Sequence, residues 1–395
     1  MRTERAAFLT LAALAAGPAG AETSPYYIGT SVSASHDSNV FRSADAPASD
    51  TTVSAGVVGG FDQPIGRQRV YTSGSINANR HVHLGQLDDT SYTLTTGIDW
   101  ATIQQLSGTL RYSTQHGLAA YGVANAPATT EKNILRTQQF SASASYPLLS
   151  EISFDTSFEN RSVAYSAEAY RSLASEQDVI GASLRYLPGP SLGVAVGGRS
   201  TRGDTPNFAV APGVFEPDRL HRSDIDLSAT LSGARSSLTA RVSFSHESHS
   251  QPAYPGFSGL TGAVDADYAP TAKLRVAAAA SRDTGSVTTF LRFGTTGGIN
   301  VDANQISTQL RASINYAATP KISTAAQVRY NRGEVSNLLG TSQDRVQSYA
   351  LQADWEPQRS LRFSCSVSRE IRSSTTLGLD SRATVSGCTT IFTVR

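Results

Sequence analysis

The sequence predicts an all-β protein, a transmembrane antiparallel up-and-down β-barrel of about 18 strands with short periplasmic turns and longer extracellular loops. Three observations predict it. Segment after segment alternates apolar and polar residues for about ten positions, the length a tilted strand needs to cross the hydrocarbon layer. Short turn signals recur about every 40 residues, one hairpin plus a longer loop. An aromatic residue precedes nearly every one of those turns.

The first element is a leader. Arg2 and Arg5 precede an apolar run from Ala6 to Ala16, and Ala19-Gly20-Ala21 supplies small residues for a peptidase. Residues 1–21 therefore read as a cleaved signal peptide and 22–395 as the barrel, exported to a bacterial outer membrane. The apolar run is shorter than the ~20 residues of a membrane helix, and no later stretch approaches that length. A formal net charge of +1 speaks against nucleic acid as a partner and against a polybasic membrane anchor. Outer-membrane lipid and lipopolysaccharide are the partners such a barrel implies.

Along the chain, Val70 to Ala78 places Tyr71, Ser73, Ser75 and Asn77 on one parity and apolar or small residues on the other. Leu238 to Phe244 and Leu274 to Ala278 repeat the pattern with an Arg on the polar parity. Turns are expected at Gln63 to Gly66, Ala101 to Gln104, Pro147 to Ser150, Pro188 to Pro190, Ser232 to Ala234, Ala269 to Thr271, Thr319-Pro320 and Glu356 to Gln358. Longer polar connections are expected at His116 to Lys132, Ala164 to Ser175, Gly203 to Leu220, Ser245 to Gly256, Arg282 to Asn304 and Asn331 to Arg345.

Strands running into seven of the eight turns end in Phe61, Trp100, Tyr146, Tyr186, Tyr268, Tyr316 and Trp355, all on the apolar parity. That is where a periplasmic belt of rings would be built. The competing reading is a soluble β-sandwich or solenoid with recurring core aromatics, whose repeats would be shorter or fewer. At the C-terminus Cys388, Thr390, Phe392 and Val394 alternate as a closing strand should, although Arg395 follows where an aromatic is usual.

Enzyme motifs are missing. There is no G-x-S-x-G, no H-E-x-x-H and no phosphate loop, and neither a cofactor nor a catalytic residue is expected. His246-Glu247-Ser248-His249 is one residue too short for a helical zinc site and reads as a solvated loop; His81 and His83 share a strand face without a third ligand. The polar parity instead collects Arg69, Arg111, Arg185, Arg241, Arg275, Arg311, Arg329 and Arg362 with Asp99, Asp155, Asp265, Asp267 and Asp354. These are candidate lumen-lining residues, either a wall that binds saccharide hydroxyls and uronates or a set of ion pairs that holds the barrel round. Cys365 and Cys388 fall on the last two strands as cross-strand neighbours, either bonded or free in the wall.

Tyr26-Tyr27-Ile28-Gly29, His36 to Arg42, Phe61-Asp62-Gln63-Pro64, Arg67-Gln68-Arg69, Ile98-Asp99-Trp100 and, near the end, Ser368 to Arg372 resemble the EpsL-like family of outer-membrane β-barrels encoded with exopolysaccharide biosynthesis genes. The resemblance implies a non-enzymatic part in exopolysaccharide biosynthesis, with the lumen as the export conduit and exopolysaccharide and periplasmic export proteins as partners. The alternative is a general or solute-selective porin, which the same architecture supports. A third reading, an outer-membrane hydrolase, requires His116, His221, His246 and His249 to converge at the extracellular rim.

Overall fold

Alternation leaves each strand with one wet and one greasy side, and a sheet built this way buries its greasy side in lipid only by closing on itself. The computed structural model describes residues 24–394 apart from 104, 124–125, 127, 212–213, 253–255, 285–305, 338–339 and 376–379. The expected signal peptide lies outside the described residues.

The first nine strands are β1 (Tyr26–Asp37), β2 (Asp50–Ile65), β3 (Gln68–His81), β4 (Asp89–Ala101), β5 (Ser107–Leu118), β6 (Ile134–Pro147), β7 (Ile152–Tyr165), β8 (Ser175–Gly189) and β9 (Leu192–Ala211). The second nine are β10 (Val214–Ser232), β11 (Ser236–His249), β12 (Phe257–Tyr268), β13 (Leu274–Thr284), β14 (Ile306–Thr319), β15 (Ile322–Asn337), β16 (Gly340–Gln358), β17 (Leu361–Ser374) and β18 (Ser381–Val394). Each pairs antiparallel with its sequence neighbours, and β18 pairs with β1 from Ile28↔Val394 to Asp37↔Val385. The result is a closed 18-stranded antiparallel up-and-down barrel.

Its burial is inverted relative to a water-soluble protein. Ile28, Val57, Ile76, Ile180, Leu227, Phe244, Leu260 and Leu351 are exposed, whereas Arg222, Asp224, Ser243, Ser245 and Thr201 are buried. An exposed apolar surface that wraps a whole sheet needs lipid against it. Opposed residues in a ladder share a face, so the register sorts the two sides: Val32, Ala55, Ala78 and Thr90 form an outer row, and Ser31, Gly56, Asn77 and Ser91 an inner one.

One rim carries the eight short turns. Four of them are two residues long, and in the one between β2 and β3, Gly66-Arg67, Gly66 takes φ +63°, a conformation two-residue hairpins ask for. The turn expected at Glu356 to Gln358 falls two residues later, because β16 continues through Gln358. On the opposite rim two expected loops are strands. β9 runs to Ala211 and β10 starts at Val214, and β15 and β16 likewise extend to Asn337 and from Gly340. Both faces meet water above the membrane, so alternation fades while the ladder still satisfies the backbone. Likewise β11 extends to His249 and β12 begins at Phe257, and most of the expected Arg282 to Asn304 connection lies outside the described residues.

Candidate functional site: the barrel lumen

The ladder register puts the side chains of Arg69, Arg111, Arg185, Arg241, Arg275, Arg311, Arg329 and Arg362 on the inner face, with those of Asp99, Asp155, Asp265, Asp267 and Asp354. They divide by height. Arg69, Arg185, Arg275 and Arg362 lie near the short-turn rim and are held by carboxylates. Arg69 donates to Asp62 at 2.8 and 2.6 Å and stands 3.6 Å from Asp99. Arg185 is 2.7 Å from Asp155, Arg275 2.7 Å from Asp267, and Arg362 pairs with Glu356. Asp354 accepts from Gln352, and Asp265 lies opposite Ala279.

Arg111, Arg241, Arg311 and Arg329 occupy mid-strand positions. Arg311 and Arg329 face each other across β14 and β15, and Arg311 donates to Gln327 at 3.2 Å. Arg111 lines a cavity of about 970 Å³ with Glu159, Arg161, Arg199 and Arg241. A second space of about 900 Å³ shares Arg69, Asp99, Arg199 and Arg241 with it and continues to Arg67 and Arg185 at the short-turn rim.

On the wall formed by β9 to β13 the inner side chains close into a buried ionic cluster. Arg222 is its hub: Nε donates to Asp224 at 2.9 Å, Nη1 to Asp283 at 2.6 Å and Nη2 to Ser245 at 3.0 Å. Arg199 pairs with Asp224 at 3.1 Å, and Arg241 stands 3.6 Å from Asp226 and 3.7 Å from Asp283. Above them His249 is clasped between Asp218 at 2.7 Å and Glu247 at 3.1 Å. The segment His246 to His249, expected as a solvated loop, is thus strand: Glu247 and His249 point in, His246 and Ser248 out. Sequence reading missed this cluster because it took Ser245 to Gly256 and Arg282 to Asn304, which supply Ser245, Glu247, His249 and Asp283, for loops. The signal was present as Arg222, Asp224 and Asp226 at a spacing of two, which in a strand is one face.

The loop rim narrows the mouth. Tyr170 and Ala167 after β7 pack with Ala126 of the β5–β6 connection into a small buried apolar cluster. Phe41 packs edge-on to Tyr121 at 5.0 Å, tying the β1–β2 loop to that connection. Gly122, at φ +66°, comes so near Arg42 that an added Cβ would lie 2.6 Å from its side chain and 3.6 Å from Arg372 on the inner wall of β17. Tyr121 donates to the Glu131 carbonyl at 2.8 Å, and burial pushes its hydroxyl up to about 12. At the start of β2, Asp50 accepts from the amides of Thr51, His83 and Leu84 at 2.7 to 3.0 Å. Burial pushes its carboxyl up, but these donors outweigh it and hold Asp50 below the usual carboxylate range.

The remaining expectations are placed as follows. Phe61, Trp100, Tyr146, Tyr186, Tyr268, Tyr316 and Trp355 stand on the outer face beside the short turns, Trp355 stacked on Phe363 at 5.2 Å. Cys365 and Cys388 are opposite one another, also on the outer face, and their sulfurs are joined with the Cα atoms 4.1 Å apart. His116 stacks on Tyr92 outside the barrel, and His221 and His246 face outward as well, so the four histidines do not converge. His81 and His83 lie near Asp88 and Asp50 rather than sharing a metal, and no cluster of three metal-ligating residues occurs among the described residues.

No family model matches the sequence, and no curated protein matches it either. Solved structures do share the fold. OpdO of Pseudomonas aeruginosa aligns at 11% identity over 93% of this chain and 97% of that chain, with a TM-score of 0.50. OccAB2 of Acinetobacter baumannii aligns at 9% identity over 93% and 97%, with a TM-score of 0.50. Both are Occ/Opd outer-membrane porins, and at this identity the likeness is one of fold. The expectation of exopolysaccharide export is overturned by this finding, since the barrels that share the architecture are porins, the alternative weighed above. The EpsL-like resemblance likewise finds no support beyond the barrel itself.

Proposed function

We propose that the chain is a solute-selective porin of the bacterial outer membrane, reached by way of a cleaved signal peptide, and acts as a channel rather than as an enzyme. One observation carries the reading: a polar, charge-lined space of about 970 Å³ lies inside a closed barrel whose mouth is narrowed by inward-folded loops. A wide bare bore would pass solutes by size alone, whereas opposed guanidinium and carboxylate groups in a narrowed one sort them by charge. Arg111, Arg161, Arg199 and Glu159 are the groups a passing solute meets. The EpsL-like motifs between Tyr26 and Trp100 and at Ser368 to Arg372 fit a porin as well as any other barrel and assign no polymer role.

The test is reconstitution in a planar bilayer under a salt gradient. Steady conductance steps are expected, and Arg111→Gln is expected to move the reversal potential toward cation preference. A folded barrel that conducts nothing overturns the reading. Conductance whose ion preference ignores Arg111→Gln returns the lumen to a sieve that sorts by size.

A further inference from the structure

Outward-facing side chains differ sharply between two parts of the wall where β-strands leave the apolar band at the loop rim. On β13 and β15 to β18 the register points Arg282, Arg332, Arg345, Arg369 and Arg382 outward. Arg332 is ten residues beyond Ile322, Arg345 ten before Trp355 and Arg382 ten before Phe392, while Arg282 and Arg369 lie eight beyond Leu274 and Leu361. At ~3.3 Å per residue and a tilt of ~40°, eight to ten residues climb roughly 20–25 Å, the height of a barrel's apolar band. The five guanidinium groups therefore sit at the headgroup level of the outer leaflet.

They are short of counter-charge. Arg332 and Arg345 are directly opposite, an arrangement that repels. Glu334 binds Arg332 at 2.7 Å, but Arg282, Arg345, Arg369 and Arg382 form no ion pair among the described residues. Elsewhere on the wall three such cations have a carboxylate beside them, Arg202 opposite Asp178, Arg219 3.5 Å from Asp204 and Arg80 3.2 Å from Asp88, while Arg136 of β6, opposite His116 and Ala164, stands alone among the described residues. Planar guanidinium groups at a lipid boundary bind phosphate oxygens in pairs, and each cation near an anionic surface adds about 1 kcal/mol.

We propose that this arginine face of β13 and β15 to β18 holds the phosphates of a phosphorylated glycolipid of the outer leaflet. The inference rests on the barrel fold and its register, not on the porin reading.

The full chain would be refolded into phosphatidylcholine vesicles carrying either bisphosphorylated or dephosphorylated lipid A, then extracted in mild detergent and assayed for retained lipid A. The phosphorylated form is expected to be retained and the dephosphorylated form lost. Arg345→Gln, Arg369→Gln and Arg382→Gln are each expected to weaken retention about fivefold, the equivalent of that ~1 kcal/mol per cation. Arg202→Gln on the compensated wall is expected to leave it unchanged. Equal retention of both lipid forms, or undiminished retention in the triple variant, overturns the proposal. Should the triple variant fail to insert, retention by the unaltered chain must fall steeply with salt; salt-independent retention is equally fatal.

Discussion

Arg222 and Arg69 each bind two aspartates inside the same lumen, but in different surroundings. Arg222 and Asp224 have no exposed side-chain surface, whereas the side chains of Arg69 and Asp62 are 54% and 52% exposed. The ionic wall of β9 to β13 is thus protein interior, and the pairs at the short-turn rim are surface ion pairs that happen to face inward. Burial, not the residue pair, sets what each contributes: removing one partner of a buried pair strands a charge, while an exposed pair is nearly matched by water.

The largest effect should come from Arg222→Ala, which takes from Asp283 its closest cation and leaves it only Arg241 at 3.7 Å, and is expected to cost ~3–5 kcal/mol in urea unfolding of the vesicle-inserted barrel. A loss under ~1 kcal/mol would show that water reaches the cluster and would erase the contrast. The double variant Arg222→Met with Asp283→Leu sharpens it. Exchanging both charges for apolar groups is expected to recover most of that loss, because Asp224 keeps Arg199 and Ser245 as partners. No recovery would mean that Arg222 also holds the neighbouring strands in register.

Asp50 is an intermediate case, buried at the loop rim with backbone donors in place of a cation. Asp50→Asn is expected to cost ~1–3 kcal/mol, read as faster amide exchange at His83 and Leu84. A carboxyl held below its unfolded value of about 3.9 contributes fully above that pH and loses its contribution as pH falls through the folded value. The native loop should therefore stay protected at neutral pH and open on acidification below about 3.9, whereas the Asn variant should show no such step. Smallest of all, Arg69→Ala should change stability by no more than ~1 kcal/mol, and high salt should abolish even that.

The short-turn rim was legible in the sequence and the loop rim was not, for a local reason. Turn residues such as Pro64 and Gly66, the rings before them and the alternation of Val70 to Ala78 all act within a few positions of chain. Parity alone put Arg69 and Asp99 on one face. What holds Arg222 comes from β10, β11 and β13, 61 residues apart for Asp283, and no period in the sequence announces such a meeting. The meeting of Gly122 with Arg42 and Arg372 is equally remote. Above the membrane the pattern itself dissolves, so β9 and β10 beyond Gly203 read as loop although the ladder continues to Ala211.

The bond between Cys365 and Cys388 joins β17 to β18, one strand from the seam at which β18 meets β1. A slip of one residue at that seam would turn every lipid-facing side chain of β18 toward water. The staple forbids such a slip within the closing hairpin, and it forms only where thiols are oxidised. A reduced chain must choose the alignment of its last hairpin by hydrophobic matching alone, whereas an oxidised one brings that choice already made, so fidelity of closure carries a record of the chain's redox history.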